Sequence, residues 1–244
     1  MNEITCLNSY GNDGELRRRL LKFRDFPILF ISIPKNASSS IKQTYAKYYM
    51  GREIPAAKSH NPSETGFLTR DIIGKHNFFD LMVSQSINKF VVLRDPLERA
   101  LSGYLNKIKG TKLNTFRNFA SNLDQEVWKF NEKKLSHLQK NYTFELFLEQ
   151  LQSMNDIDRN AHFRTQTCLA FDFKLNNTCI FDIKKLNELE NWLYSITGKK
   201  VKIISKSRHI TNASSHVSTF KNNNVLNLVK NIYFTDYNAY ENIE

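Results

Sequence analysis

Residues 27–42 read PILFISIPKNASSSIK. The first seven, Pro27 to Ile33, are a continuous apolar run, the pattern of a strand buried on both faces of a sheet. A polar, hydroxyl-rich loop from Pro34 to Ser40 follows directly. Ile41, Tyr45, Tyr48 and Tyr49 then recur at helical spacing, so the unit reads strand, loop, helix. A loop of this kind offers unpaired backbone N–H groups and the positive end of a helix dipole, and both attract phosphate-like oxyanions. Lys35 adds a mobile full charge, and Ser38, Ser39 and Ser40 add hydroxyl donors. On this stretch alone, a serine-rich helix start with a surface lysine stays open as an alternative. The glycine-rich nucleotide loop GxxxxGK[ST] is absent, since no glycine occurs from Glu15 to Met50, and an ATP or GTP hydrolase of that type is disfavoured.

A second unit begins at Phe90. Phe90–Leu93 reads as a short buried strand, Arg94 ends it, and Asp95-Pro96-Leu97-Glu98 opens a helix. Asp95 suits the N-cap, Pro96 the first helical position and Glu98 the third. Leu97, Leu101, Tyr104 and Ile108 form one apolar stripe, and Ser102 falls on the opposite, polar side. Arg94 lies at the carboxyl end of a parallel strand, where open α/β sheets bind ligands. Pairing of Arg94 with an acid, or a solvent-facing Ser102, is the plainer alternative.

Further on, residues 110–152 read as helical segments rich in Asn and Lys. Thr178–Ile183 reads as a strand, followed by a helix through Leu186, Leu189 and Leu193 that Gly198 closes. Val201–Ile204 reads as a strand, and Val225–Tyr240 as one terminal amphipathic helix. Strands alternating with helices imply an α/β domain with a mainly parallel central sheet flanked by helices.

The 244 residues suit a single domain, with residues 1–25 as a basic N-terminal segment and residues 110–160 as a helical insertion. In the first segment Arg17, Arg18, Arg19, Lys22 and Arg24 read as a solvated helix face. A net charge of +11 predicts an anionic partner without choosing among nucleic acid, acidic glycan, membrane and phosphorylated nucleotide. Cys6, Cys168 and Cys179 form no CxxC pair, which argues against a disulfide framework or a zinc site and for a reducing compartment. No signal peptide or membrane-length apolar run is visible, so the expectation is a soluble, cytoplasmic protein.

Taken together, the two units resemble the signature pair of the sulfotransferases, in particular the carbohydrate (type 2) branch with the chondroitin and dermatan 4-O- and heparan 2-O-sulfotransferases. Its P-loop-like pattern PK-x-A-[ST]-[ST]-S is matched by Pro34-Lys35-Asn36-Ala37-Ser38-Ser39-Ser40. Its element RDP-x-ER-x-x-S-x-Y is matched by Arg94-Asp95-Pro96, Glu98-Arg99, Ser102 and Tyr104. His162-Phe163-Arg164-Thr165-Gln166 looks like that branch's HWRPQ element, with Phe163 for Trp and Thr165 for Pro. Asn212-Ala213-Ser214 and Tyr233–Tyr237 resemble its C-terminal ending. The Golgi anchor of the animal enzymes is missing, which fits a stand-alone microbial catalytic domain.

The resemblance implies a P-loop-like three-layer domain that takes 3′-phosphoadenosine 5′-phosphosulfate (PAPS) as donor and sulfates a hydroxyl of an oligo- or polysaccharide. It assigns the 5′-phosphosulfate to Lys35, Asn36, Ala37, Ser38, Ser39 and Ser40, and the 3′-phosphate to Arg94 and Ser102. His162, Arg164 and Gln166 are expected to line the acceptor pocket. Sulfuryl transfer needs cations at the leaving oxygen and a base for the acceptor hydroxyl. Lys35 suits the first task. His76, after Ile72-Ile73-Gly74-Lys75, resembles the catalytic histidine of the heparan 2-O-sulfotransferase, and His60 is the second choice. No metal is expected, because no cluster of His, Cys or acids stands at ligand spacing. A P-loop-type nucleotide or sugar kinase would need the missing glycine-rich loop. A nucleic-acid-binding module would need aromatics within a basic stripe, whereas here they fall at apolar helix positions.

Overall fold

A computed structural model describes residues 19–121, 124–170, 175–204 and 213–243, without the side chains of Lys75 and Phe119. Cys6, Arg17, Arg18 and Asn212 lie outside the described residues. In chain order the strands and longer helices are β1 (Leu20–Lys22), β2 (Ile28–Ile31), α1 (Ser38–Met50), α2 (Lys75–Val83), β3 (Asn88–Leu93), α3 (Pro96–Tyr104), α4 (Leu113–Ala120), α5 (Glu132–Asn141), α6 (Phe144–Gln152), β4 (Thr178–Asp182), α7 (Leu186–Thr197), α8 (Ala213–Phe220), α9 (Asn223–Ile232) and α10 (Phe234–Glu241). The fold is α/β. The chain, which reads as one domain, gathers into two compact units. One holds the described residues up to Arg94, then Gln166–Ile204 and Tyr240 onward. The other holds Asp95–Thr165 and Ala213–Ala239.

In the first unit the strand order is β1-β2-β3-β4, with β1 antiparallel to β2 and the other pairs parallel. Ile28, Phe30, Phe90, Val92 and Phe181 point to one face, where Ile41 and Tyr45 of α1 and Leu189 and Leu193 of α7 cover them. Phe30 stacks on Phe90 across the β2–β3 pair at 4.8 Å. The alternate residues Leu29, Ile31, Val91 and Leu93 are also fully buried, which explains the unbroken apolar run. Each such side chain contributes roughly 1.5–3 kcal/mol by leaving water.

Two expectations change here. Lys22 does not face solvent but lies in β1, with Nζ donating to the Phe23 and Phe26 carbonyls at 2.5 Å each. Val201–Ile204 forms no strand. Side chains take its amides instead: Ile203 N–H donates to Glu190 Oε1 at 2.8 Å and Ile204 N–H to Thr44 Oγ1 at 3.0 Å.

The second unit is helical among its described residues. Leu97, Leu101, Tyr104 and Ile108 pack with Phe116, Phe147, Phe163, Val229 and Tyr233. The expected terminal helix is two helices, broken at Tyr233 (φ −120°, ψ 30°). That residue is buried, and its hydroxyl donates to the Phe163 carbonyl at 2.8 Å. Asp95 caps α3 as expected, accepting from Glu98 N–H at 2.9 Å. Ser102, expected on a polar face, is only 3% exposed because α3 is buried from Arg99 to Tyr104 on every side.

Gly103 shows how tightly α3 is packed. A Cβ built there would lie 2.4 Å from Phe163 Cε1, and Phe163 is held by Phe147 at 4.6 Å between ring centroids. Alanine in a helix interior ordinarily stabilises by about 1 kcal/mol over glycine. At this position the clash reverses the sign, and Gly103→Ala should lose roughly 1–3 kcal/mol in a urea melt. A variant more stable than wild type would disprove that packing.

Candidate active site

The loop from β2 to α1 has an unusual backbone for a sequence without glycine. Lys35 (φ 71°) and Ala37 (φ 56°) both lie in the left-handed region, which costs a non-glycine residue roughly 1–2 kcal/mol. Ala37 occupies the N-cap of α1 and has no side-chain acceptor to offer. A helix start normally gains such an acceptor from Ser, Thr, Asp or Asn. The first-turn N–H groups of α1 therefore remain available to an external anion. That turn contains no acidic residue. Among the described residues, Ser38, Ser39 and Ser40 make no side-chain hydrogen bond.

Asn36 and Gln166 hold the loop against the end of β3. Asn36 Nδ2 donates to the Val92 carbonyl at 2.8 Å and to Gln166 Oε1 at 2.5 Å. Gln166 Oε1 also accepts the Arg94 N–H at 3.0 Å, and its Nε2 donates to the Arg94 carbonyl at 2.9 Å. Arg94 Nη1 reaches the Lys35 carbonyl at 3.4 Å. Asn36, Arg94 and Gln166 are thus brought together beside Lys35. Asn36 Oδ1 is buried and has no hydrogen-bond partner among the described residues, an acceptor with capacity left for a donor group entering the site.

Gln166 is fully buried, so its amide acts on the backbone of Arg94 and on Asn36 rather than at a surface. Arg164 also serves the backbone: its Nε donates to the Asp156 carbonyl at 3.3 Å, and its Nη2 to the carbonyls of Ile157 and, at 3.2 Å, Arg159. Half-buried His162 sets Nδ1 against Asn160 Oδ1 at 2.8 Å, which places the proton on Nδ1. Ser102 stands in the interior of α3. Its neighbour Tyr104 donates to the Tyr142 carbonyl at 2.5 Å, and burial pushes its phenol well above the ordinary range. That hydroxyl is a structural donor, not an acid–base group.

The two candidate bases stand apart in the chain. His76 is the second residue of α2, after the sharp turn at Gly74 (φ 91°), and it is exposed. Among the described residues it has no hydrogen bond or ion pair. His60, also exposed, ends a short turn of helix at Ala56–His60. Sequence reasoning missed one further feature. Arg99 is buried in α3, with Nη1 on the Arg164 carbonyl at 2.8 Å and Nη2 on the Ala161 carbonyl at 3.2 Å. Its place in Asp95-Pro96-Leu97-Glu98-Arg99 marked the residue but not its buried task.

A family model described as "Sulfotransferase family" matches residues 18–241. No curated protein and no solved structure matches the chain. That one match covers nearly the whole length, and it falls on a sheet whose strand ends carry an uncapped helix start and an arginine. The chain belongs to the sulfotransferase family, in which PAPS-dependent transfer of a sulfuryl group to a carbohydrate hydroxyl is typical.

Proposed function

We propose that this sulfotransferase holds PAPS between the start of α1 and Arg94, with Ser102, and sulfates a hydroxyl of an oligo- or polysaccharide. The observation that carries this reading is the open N-terminus of α1, with Ala37 in place of a capping side chain and no acid in the first turn. Its amides and serine hydroxyls are donors, and they fit a phosphosulfate, which accepts hydrogen bonds at many oxygens. When bound, the donor supplies a sulfuryl group on a bridging oxygen that leaves with negative charge.

The first-turn amides and the hydroxyls of Ser38, Ser39 and Ser40 bind and orient the 5′ oxyanions. Lys35 neutralises the charge that builds on the leaving oxygen, as a preorganised cation does in a water-poor site. Arg94 and Ser102 take the 3′-phosphate, following the family pattern. His76, in its neutral form, accepts the proton of the acceptor hydroxyl, and His60 is the alternative base. His162 belongs to the acceptor side, while Arg164 and Gln166 act through the backbone they hold.

A surface in the helical segment supports a sugar acceptor. Ser121, Gln125, Glu126, Trp128 and Lys129 line a cavity of about 510 Å³. Trp128 is 56% exposed, and an exposed indole in a lining that also holds hydrogen-bonding side chains is a combination that suits a pyranose ring.

Three measurements test this reading. Calorimetric titration of 3′-phosphoadenosine 5′-phosphate should give wild-type binding well above that of ATP. Arg94→Ala should weaken it about 10- to 100-fold, the worth of a charged hydrogen bond; equal affinities would remove Arg94 from the donor site. For His76→Ala, turnover should fall about 10²–10⁴-fold with nucleotide affinity unchanged. Per-molecule activity within a few-fold of wild type would move the base to His60. Finally, Trp128→Ala should raise the acceptor KM roughly tenfold at nearly constant kcat, the mark of lost ground-state binding. An unchanged acceptor KM would place the sugar elsewhere.

A further inference from the structure

Lys42 closes the motif that begins at Ile33, and the donor reading leaves it without a task. It lies in the second turn of α1, one turn after Ser38, and is only 7% exposed. Helix Cα–Cβ bonds tilt toward the N-terminus, and long side chains cover the preceding turn. By that rule the Lys42 stem covers the turn that begins at Ser38, on the side of the open amides.

The other buried lysines show what is missing. Lys22 Nζ donates to the carbonyls of Phe23 and Phe26, and Lys89 Nζ to those of Ser84, Ile87 and Asn176 at 2.7, 3.0 and 2.9 Å. Lys42 has no hydrogen-bond or ion-pair partner among the described residues. Its surroundings oppose a cation further. Burial first, and the charge of Arg19 second, push its pKa down to about 8. Arg19 belongs beside the loop, because its carbonyl accepts the Ser32 N–H at 2.7 Å just before Ile33. The positive end of the α1 dipole adds a third unfavourable contribution. A buried ammonium in such a setting is costly until an anion meets it.

We propose that Lys42, with the charge of Arg19 beside it, is a donor-binding cation that holds an oxyanion of the nucleotide's 5′ end from beneath the loop. The proposal rests on the donor reading above and adds to it a residue deeper than Lys35.

Lys42→Met tests this, because it keeps the length and packing of the stem and removes the charge. Without nucleotide the variant should melt at or above the wild-type temperature, since a buried unpartnered charge is gone. Its affinity for 3′-phosphoadenosine 5′-phosphate should fall about 10- to 100-fold, and the nucleotide-induced rise in melting temperature should shrink with it. A purely structural lysine would give the opposite pattern, lower stability with affinity kept. Binding by Lys42→Met within twofold of wild type, while Arg94→Ala loses affinity, would overturn this inference and leave the donor reading standing. Wild type failing to bind the nucleotide would overturn both. Should Lys42→Met not fold, Lys42→Arg is expected to keep affinity and Lys42→Gln to lose it. Equal affinities of those two would also overturn the inference.

Discussion

The side-chain amide of Gln166 does the work of a missing strand residue. The β3–β4 ladder ends with Leu93 opposite Asp182, so the Arg94 N–H and carbonyl have no strand to meet there. Gln166 accepts the one and donates to the other, as a backbone amide would. Asn36 does the same for β2, whose pairing with β3 stops at Ile31 opposite Val91, by donating to the Val92 carbonyl one residue further on. The two amides then bond to each other. In a low-dielectric interior such bonds are strong, and leaving a member unpaired costs more than the bond contributes. The brace therefore fixes where Lys35 and the Arg94 backbone stand relative to one another before any ligand arrives.

That rigidity matters because the proposed donor site gathers like charges. Lys35, Arg94, Lys42 and Arg19 are all cations, while the first turn of α1 brings a positive dipole end and no acid. Mutual repulsion would spread a flexible loop. The hydrogen bonds of Asn36 and Gln166, together with the buried face of α1, oppose that spreading with neutral interactions that no charge can screen. A local concentration of cations at the strand ends, within a chain of net charge +11, would attract a polyanionic donor of the kind proposed.

The three parallel strands were legible because such strands announce themselves as apolar runs: Ile28–Ile31, Asn88–Leu93 and Thr178–Asp182 fall within or beside the runs read from the sequence, whereas β1, inside the basic cluster, was not. The start of α3 was legible through Asp95, Pro96 and Glu98. Boundaries in the helical segment were readable in principle, since Asn131, Thr143 and Asn222 each accept an N–H at a helix start, but a chain so rich in Asn offers too many equivalent caps. Val201–Ile204 misled because apolar β-branched residues also suit an extended segment whose amides bond to side chains. The break at Tyr233 depends on a hydroxyl finding the Phe163 carbonyl 70 positions away, which no local pattern contains. Motif spacing indicated Gln166 and Ser102 but not their burial, and Arg164 but not the backbone carbonyls it holds. A polar side chain looks the same in sequence whether it faces a ligand or a carbonyl.

The absence of glycine from the loop is the remaining constraint, and it has a chemical reason. Ordinary phosphate loops use glycine where the backbone turns left-handed, because a Cβ there costs energy. Here the two left-handed positions carry Lys35 and Ala37. Glycine at Ala37 would relieve strain without losing a functional group, but it would loosen the chain at the helix start and raise the entropy lost on folding. Glycine at position 35 would delete the charge proposed to meet the leaving oxygen. A loop that binds phosphate for hydrolysis can leave the cation to a later lysine and a metal ion. A loop that stabilises a leaving oxygen with a side chain at its own apex must accept the backbone strain of placing that side chain there. The Asn36 bonds to Val92 and Gln166 are what hold the strained turn in place.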